Sequence, residues 1–168
     1  PYHDPNGDFA GYRGSTTDET DEVEAISALA VTQRLFGQLL ASTGEGFWHI
    51  DNAAITIDVN PAMCGILDYP RDRIIGKSIF DFVDEENAKI FHRQIELRKQ
   101  GKTGPYEIQL SRRDGSKIAC VNNATPILDD HGTKIGSIGL WTDISDIKKT
   151  LTELEEAKAR AETSDRAK

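Results

Sequence analysis

Few side chains in this sequence combine the residue type and spacing that chemistry requires. The only two cysteines, Cys64 and Cys120, lie far apart and outside any CxxC pattern. They therefore make neither a zinc site nor a disulfide framework, and two small buried thiols in a reducing cytosol are expected. His92 falls in a stretch of helical periodicity, one turn from Ala88 and Ile95, and could face inward. A lone histidine on a helix flank is, however, more often surface or half-buried. His49 alternates with Trp48 and Ile50 in an extended run, which puts it on the outer face of a sheet, under an N-terminal helix. Asn122 is the most informative polar residue, because strand alternation sets it on one face with Cys120 and Ala124. A buried amide without partners costs about 1–3 kcal/mol. An internal partner or a trapped water is the ordinary remedy and is weighted above a ligand. No nucleophile–base pair, phosphate-cradling loop or metal cluster is legible, so there is no catalytic or metal-binding candidate and the chain is not expected to be an enzyme on its own.

The elements that must position these residues can be read in order. Residues 1–20 are rich in Gly, Asp, Thr and Pro without periodicity, and are expected to be a flexible lead-in. A helix over 21–43 follows from Val23, Ile26, Ala30, Gln33, Gly37 and Leu40, with Leu29, Phe36 and Leu39 widening the apolar stripe. Glu19, Asp21, Glu22 and Glu24 crowd its start, where the helix dipole favours negative charge. Strands are predicted at 47–51 and 54–59, joined by a turn at Asp51-Asn52, with Ile55, Ile57 and Val59 on one face of the second. Asn60-Pro61 opens a helix as cap and first residue, and short helical turns cover 71–82. Asp84, with Glu85 and Glu86 behind it, starts a longer helix that Gly101 ends. Its inner face is expected to carry Ala88, Phe91 and Ile95, broadened by Ile90 and Leu97. Three strands complete the domain, at 106–110, 117–127 and 134–143, the first two joined by an Asp114-Gly115 turn. Strands flanking a helical block predict an α+β domain over 44–144: a five-stranded antiparallel sheet with short helices on one face.

Composition bounds the rest. The chain has 168 residues, 38% of them apolar and 29% charged, with a net charge of −8. One domain with extra helices fits this length. The acidic balance argues against nucleic acid as a partner, because phosphate contacts need a basic face. No apolar run approaches the roughly 18 residues that span a bilayer, and no secretory signal is visible; a cytoplasmic location is expected. The missing initial Met suggests a fragment of something longer.

The stretch GFWHID…ITIDVNPAMCGILDYPRDRIIGKSIFDFV resembles the first half of a PAS domain, in which an Asn-Pro turn follows the second strand and a Gly-Tyr…Ile-Gly-Lys phrase closes the small helices. Asp68 here replaces the usual Gly before Tyr69. The second half, RRDGS…NATPILDDHGTKIGSIGLWTDIS, resembles the three-strand half, with its Asp-Gly hairpin and its exit signature at Asp143, Ile144 and Ser145. The resemblance covers about 42–147.

That resemblance implies a pocket between sheet and helices. Its candidate lining is Trp48, Met63, Leu67, Phe91, Ile95, Ile108, Cys120, Asn122 and Trp141, each more often simple core than ligand contact. Flavin photosensors of this family carry a reactive Cys just after the Gly-Lys-Asn phrase, a position that Ile79 occupies here. Haem-binding members use a His on the long helix, but the usual position falls nearer Ile90, which leaves His92 a marginal ligand. No cofactor is the leading expectation, and a small-molecule ligand stays open. The exit Asp143 makes an ion pair in relatives of this family, for which Arg112, Arg113, Lys117 and Lys134 are all candidate partners; Asp143 and Ser145 are equally good plain helix caps.

Beyond Ile144, apolar residues recur at Ile147, Leu151 and Leu154, then Lys158 and Ala161, a heptad seam in an otherwise charged helix over 145–168. An intermolecular coiled coil is expected, although about three heptads would dimerise weakly alone. The ending ARAETSDRAK resembles the linker that precedes the phosphoacceptor helix in hybrid sensor histidine kinases. The resemblance thus implies the sensory and dimerisation module of a bacterial two-component phosphorelay, homodimeric through its terminal helices, with a downstream kinase domain in the same chain. A ligand-free dimerisation domain, or the sensor of a diguanylate cyclase or transcription regulator, stays open.

Overall fold

The computed structural model describes residues 2–3, 5–11 and 19–168, and divides into two compact units, Pro1–Gln38 and Leu39–Lys168. In the first unit, β1 (Tyr2–His3) pairs antiparallel with β2 (Phe9–Gly11). That short ladder lies within the stretch expected to be a flexible lead-in; residues 1, 4 and 12–18 of that stretch lie outside the described residues. The helix α1 (Glu19–Thr43) starts two residues earlier than the periodicity suggested. Its apolar residues Val23, Ile26, Leu29 and Leu39 are all more than half exposed.

The second unit is built on a five-stranded antiparallel sheet. Its strands are β3 (Gly46–Asp51), β4 (Thr56–Val59), β5 (Tyr106–Ser111), β6 (Lys117–Leu128) and β7 (Lys134–Asp143), in the order β4-β3-β7-β6-β5. Between β4 and β5 run α2 (Pro61–Leu67), α3 (Arg71–Ile74), a single 3-10 turn at Ile79–Phe82 and α4 (Glu85–Lys99); α5 (Ser145–Arg166) follows β7. Among the described residues, no helix is long and apolar enough to cross a membrane.

The predicted face of β4 is corrected. The register slips by one residue opposite His49 and Ile50, so that Trp48 faces Val59 while Ile50 faces Thr56. A bulge of this kind leaves one residue unpaired and breaks the period of two. Thr56 and Val59 are therefore buried at 2% and 4% exposure, and Ile57 is turned out at 46%. The strand also begins later than expected, because Ala54 adopts a left-handed φ of 64° within the turn.

The helix starts follow their caps. Asn60 accepts from the backbone N–H of Met63 and of Phe47, both at 2.9 Å, and donates to the Glu45 carbonyl, so one amide caps α2 and ties it to β3. Helix α2 ends at Asp68, whose φ of 59° is left-handed. Gly is the relaxed choice there, and Asp is one of the few substitutes that tolerate it. Asp84 caps α4 and also pairs with Lys117 at the start of β6. Helix α4 buries Asn87 and Phe91 rather than leading with Ala88. Asn87 donates to Asp84 and accepts from the Gln109 N–H at 2.9 Å, so a polar residue joins the helix to β5.

Candidate functional site

Alternation places Trp48 and Ile50 of β3, Asn122, Ala124 and Pro126 of β6, and Ser137, Gly139 and Trp141 of β7 on the sheet face that α4 covers. The space above that face is filled at one end only. Met63, Leu67, Leu110 and Cys120 are fully buried, with Ile108 at 3%. A β-carbon at Gly46 would stand 2.6 Å from Met63 Sδ, which shows how tightly this end is packed. At the other end a cavity of about 490 Å3 remains, within the range of small-molecule sites. Small residues make it: in register, Ser137, Gly139 and Ala124 leave the floor low between Trp48 and Trp141. Ile79, Phe91 and Ile95 form the wall, and Asp51, Asn52, Arg98, Lys99, Thr133 and Lys134 surround the rest of the opening.

The two tryptophans show what the cavity lacks. Their rings are 5.5 Å apart, and both are nearly fully buried. Trp48 donates its indole N–H to Thr56 Oγ1 at 2.9 Å. The Trp141 N–H has no partner, nor do Asn122 Oδ1 and Ser137 Oγ. Asn122 spends its N–H on Tyr106 Oη at 2.8 Å, leaving the carbonyl unmatched. A β-carbon at Gly139 would lie 2.7 Å from Trp141 Nε1 and 2.8 Å from Asn122 Oδ1. Glycine is thus needed to leave room between an unmatched donor and an unmatched acceptor. Buried groups of this kind are nearly always satisfied, so these atoms mark where a polar partner would fit.

Charge is distributed unevenly around the cavity. Lys99 is paired with Glu96 at 2.6 Å. The Lys134 ammonium is held below its ordinary value by burial and by the like charges of Arg98 and Lys99. Burial pushes the Tyr106 phenol up, so it stays a neutral hydroxyl.

Of the residues singled out by sequence, Trp48, Phe91, Ile95, Asn122 and Trp141 line the cavity, while Met63, Leu67, Ile108 and Cys120 belong to the filled end. Burial, together with the nearby Asp143 carboxylate, pushes the Cys120 thiol up to about 12. His92 does not point inward. It is exposed and stacks on Phe80, with ring centroids 4.6 Å apart. His49 is half-buried on the face opposite Trp48. No histidine or cysteine is among the cavity-lining residues, and Ile79 lines the wall. The donor set thus offers neither an axial ligand for a haem iron nor a thiol for a flavin. The sequence does not single out Ser137, Gly139, Tyr106 or Arg98 as cavity residues, and it offers Ala124 only as a neighbour of Asn122 and Lys134 only as a partner for Asp143; the small-x-small-x-Trp alternation of β7 is the available signal.

The exit is built differently from the ion pair that the resemblance implied. Arg112 donates to the Gly65 carbonyl, Arg113 pairs with Asp68, Lys117 pairs with Asp84, and Lys134 lines the cavity. Asp143 instead accepts from the Ser145 N–H at 2.9 Å and shapes the turn into α5. Ile144 is buried at 9% and donates its N–H to the Ala119 carbonyl of β6. Lys148 in the first turn of α5 reaches Glu107 of β5 at 2.7 Å. Beyond this anchor, Ile147, Leu151 and Leu154 are 58%, 53% and 64% exposed.

Comparison with known proteins places this geometry. A family model described as PAS domain matches residues 44–146. The chain is 25% identical over 141 residues to the methanogenesis regulatory histidine kinase FilI of Methanothrix harundinacea (strain 6Ac), covering 83% of this chain and 16% of that protein's length. Its fold is similar to the crystal structure of a PAS domain from Colwellia psychrerythraea, with a TM-score of 0.62 and 17% identity over 70% of this chain and 98% of that one. It is also similar to a sensory box histidine kinase/response regulator from Burkholderia thailandensis E264, with a TM-score of 0.58 and 14% identity over 76% of this chain and 98% of that one. The matched segment holds the whole sheet, the cavity and the exit turn, and the chain belongs to the PAS domain family.

Proposed function

We propose that this chain is the input module of a sensor histidine kinase in a cytoplasmic two-component system. It takes a small molecule in its cavity and relays occupancy through α5 to a kinase domain further along the same protein. The observation that carries the reading is the continuity of β7, which floors the cavity with Ser137, Gly139 and Trp141 and runs through Asp143 into α5. A ligand can bias the exit helix only through a difference in affinity between two arrangements of this joint. The exposed seam of Ile147, Leu151 and Leu154 supports a second copy as the partner of α5, with the exposed apolar residues of α1 adding to the same homodimer.

Two measurements test this. The protein encoded by the longer reading frame, given ATP, should form acid-labile phosphohistidine. A product that instead makes a cyclic dinucleotide, or none at all, removes the kinase assignment. In sedimentation equilibrium the chain should be a dimer, and Leu151→Asp with Leu154→Asp should make it a monomer. A wild-type chain that sediments as a monomer overturns the homodimer.

A further inference from the structure

The cavity presents two different kinds of unmet demand. At its floor, the Trp141 N–H and Asn122 Oδ1 border the space that a Gly139 side chain would fill, one offering a hydrogen and the other accepting one. An uncharged group that both accepts and donates, such as a hydroxyl, satisfies the two together. Ser137 Oγ, also buried and unmatched, is a third contact on the same strand face. Around the rest of the lining stand Arg98, Lys99 and Lys134 against a single carboxylate, Asp51. That carboxylate is occupied in accepting from the backbone N–H groups of Ala53 and Ile55, at 2.8 and 2.9 Å. Lys99 has Glu96, and Arg98 donates its Nε–H to the Gln94 carbonyl at 3.2 Å and lies against the Tyr106 hydroxyl, but among the described residues no acidic side chain forms an ion pair with Arg98 or Lys134. A local excess of positive charge is notable in a chain of net charge −8. Its cations repel one another, and an incoming anion relieves that repulsion. Between floor and cations the wall is apolar, through Ile50, Ile79, Phe91, Ile95 and Pro126.

Resting on the reading that the cavity takes a ligand, we propose that this ligand is an amphiphilic organic acid: a carboxylate held by Arg98 and Lys134, an apolar body along α4, and a hydroxyl received between Asn122 and Trp141. Water satisfies the floor equally well, but it makes no use of the apolar wall and leaves the cations unneutralised.

The two indole N–H groups make a direct test, because only one of them is engaged. In a proton–nitrogen correlation spectrum of the full chain, ω-hydroxydodecanoate or para-hydroxyphenylpropionate should shift the Trp141 indole signal and leave that of Trp48, bonded to Thr56, in place. For each acid, the analogue with a primary alcohol in place of the carboxylate should need about ten times the concentration, as expected for one lost charge-assisted hydrogen bond. Lys134→Gln, at an exposed position that does not threaten folding, should shrink that preference without removing binding. Ser137→Ala should weaken the hydroxy acids more than their hydroxyl-free counterparts. Equal binding of acids and alcohols overturns the anionic class while leaving the cavity a ligand site. No shift with any of the probes, in a chain whose helices still dimerise, overturns the ligand reading itself.

Discussion

The two ends of the same sheet face solve the packing problem in opposite ways. Under α2 and the start of α4, Met63, Leu67, Ile108, Leu110 and Cys120 close the space completely, and a single buried polar atom beside α2, Arg112 Nε, is left unmatched. Under the end of α4, the same alternation delivers Ser137, Gly139, Ala124 and Asn122, and leaves a hollow with three unmatched polar atoms beside it. A core that can be filled with apolar side chains normally is, since voids and unmet polar groups both cost stability. The hollow end therefore gives up stability that the filled end keeps, and under the proposed function it does so to admit an occupant.

The largest test of that division is Leu67→Ala at the filled end. Removing a fully buried leucine from close packing should cost about 2–5 kcal/mol in urea denaturation. A loss below about 1 kcal/mol would mean that this end is no better packed than the other. Next comes Gly139→Ala at the hollow end. Its β-carbon must push Trp141 or Asn122 aside, so a cost of about 1–3 kcal/mol is expected despite the empty volume nearby. A neutral result would show the floor to be plastic, and the two ends less different than their geometry implies.

The polar latch of the filled end gives a smaller, pH-dependent effect. Hydrogen bonds from Lys117 first, then from Asn87, hold the Asp84 carboxyl well below the usual carboxylate range. Because the folded pKa is depressed, the stability it contributes is fully present above the unfolded value of about 4 and is lost as pH falls through the folded value. Thermal melts from pH 5 down to pH 2 should therefore fall less steeply for Asp84→Asn than for wild type. Parallel curves would take the latch out of the account of this end. Smallest of all, Asp68→Gly, which relaxes the left-handed residue closing α2, should stabilise by up to about 1 kcal/mol in the same denaturation assay. A loss would assign the pairing of Asp68 with Arg113 the larger role.

The sequence was a good guide where one local rule acted alone. The strand expected at 106–110 is β5, the Asp114-Gly115 turn makes the hairpin into β6, and Asn60 and Asp84 mark two helix starts to the residue. It failed where a single residue broke the period. The bulge facing His49 and Ile50 turned Ile57 outward and Thr56 inward, and nothing in a run of β-formers marks such an insertion. The site was half legible. Asn122 stood out because a polar residue sat on an apolar face. Gly139 and Ser137 did not, since small residues in a strand look the same whether they leave a hollow or pack against a neighbour. Arg98 and Lys99 looked like ordinary charges at a helix C-terminus, and only the fold brings Lys134 beside them.

Strand β7 has a consequence for how such a module could change over time. Positions 137 and 141 meet the cavity through side chains and 139 through the absence of one, whereas the joint at 143–145 is made by backbone hydrogen bonds, one buried isoleucine and a short side chain. Under the proposed function, recognition and transmission share a strand but not a vocabulary. A lineage, or an engineer, would then rewrite what is recognised by exchanging a few inward residues without re-solving the joint, so new specificities would lie only a few substitutions away from the existing exit.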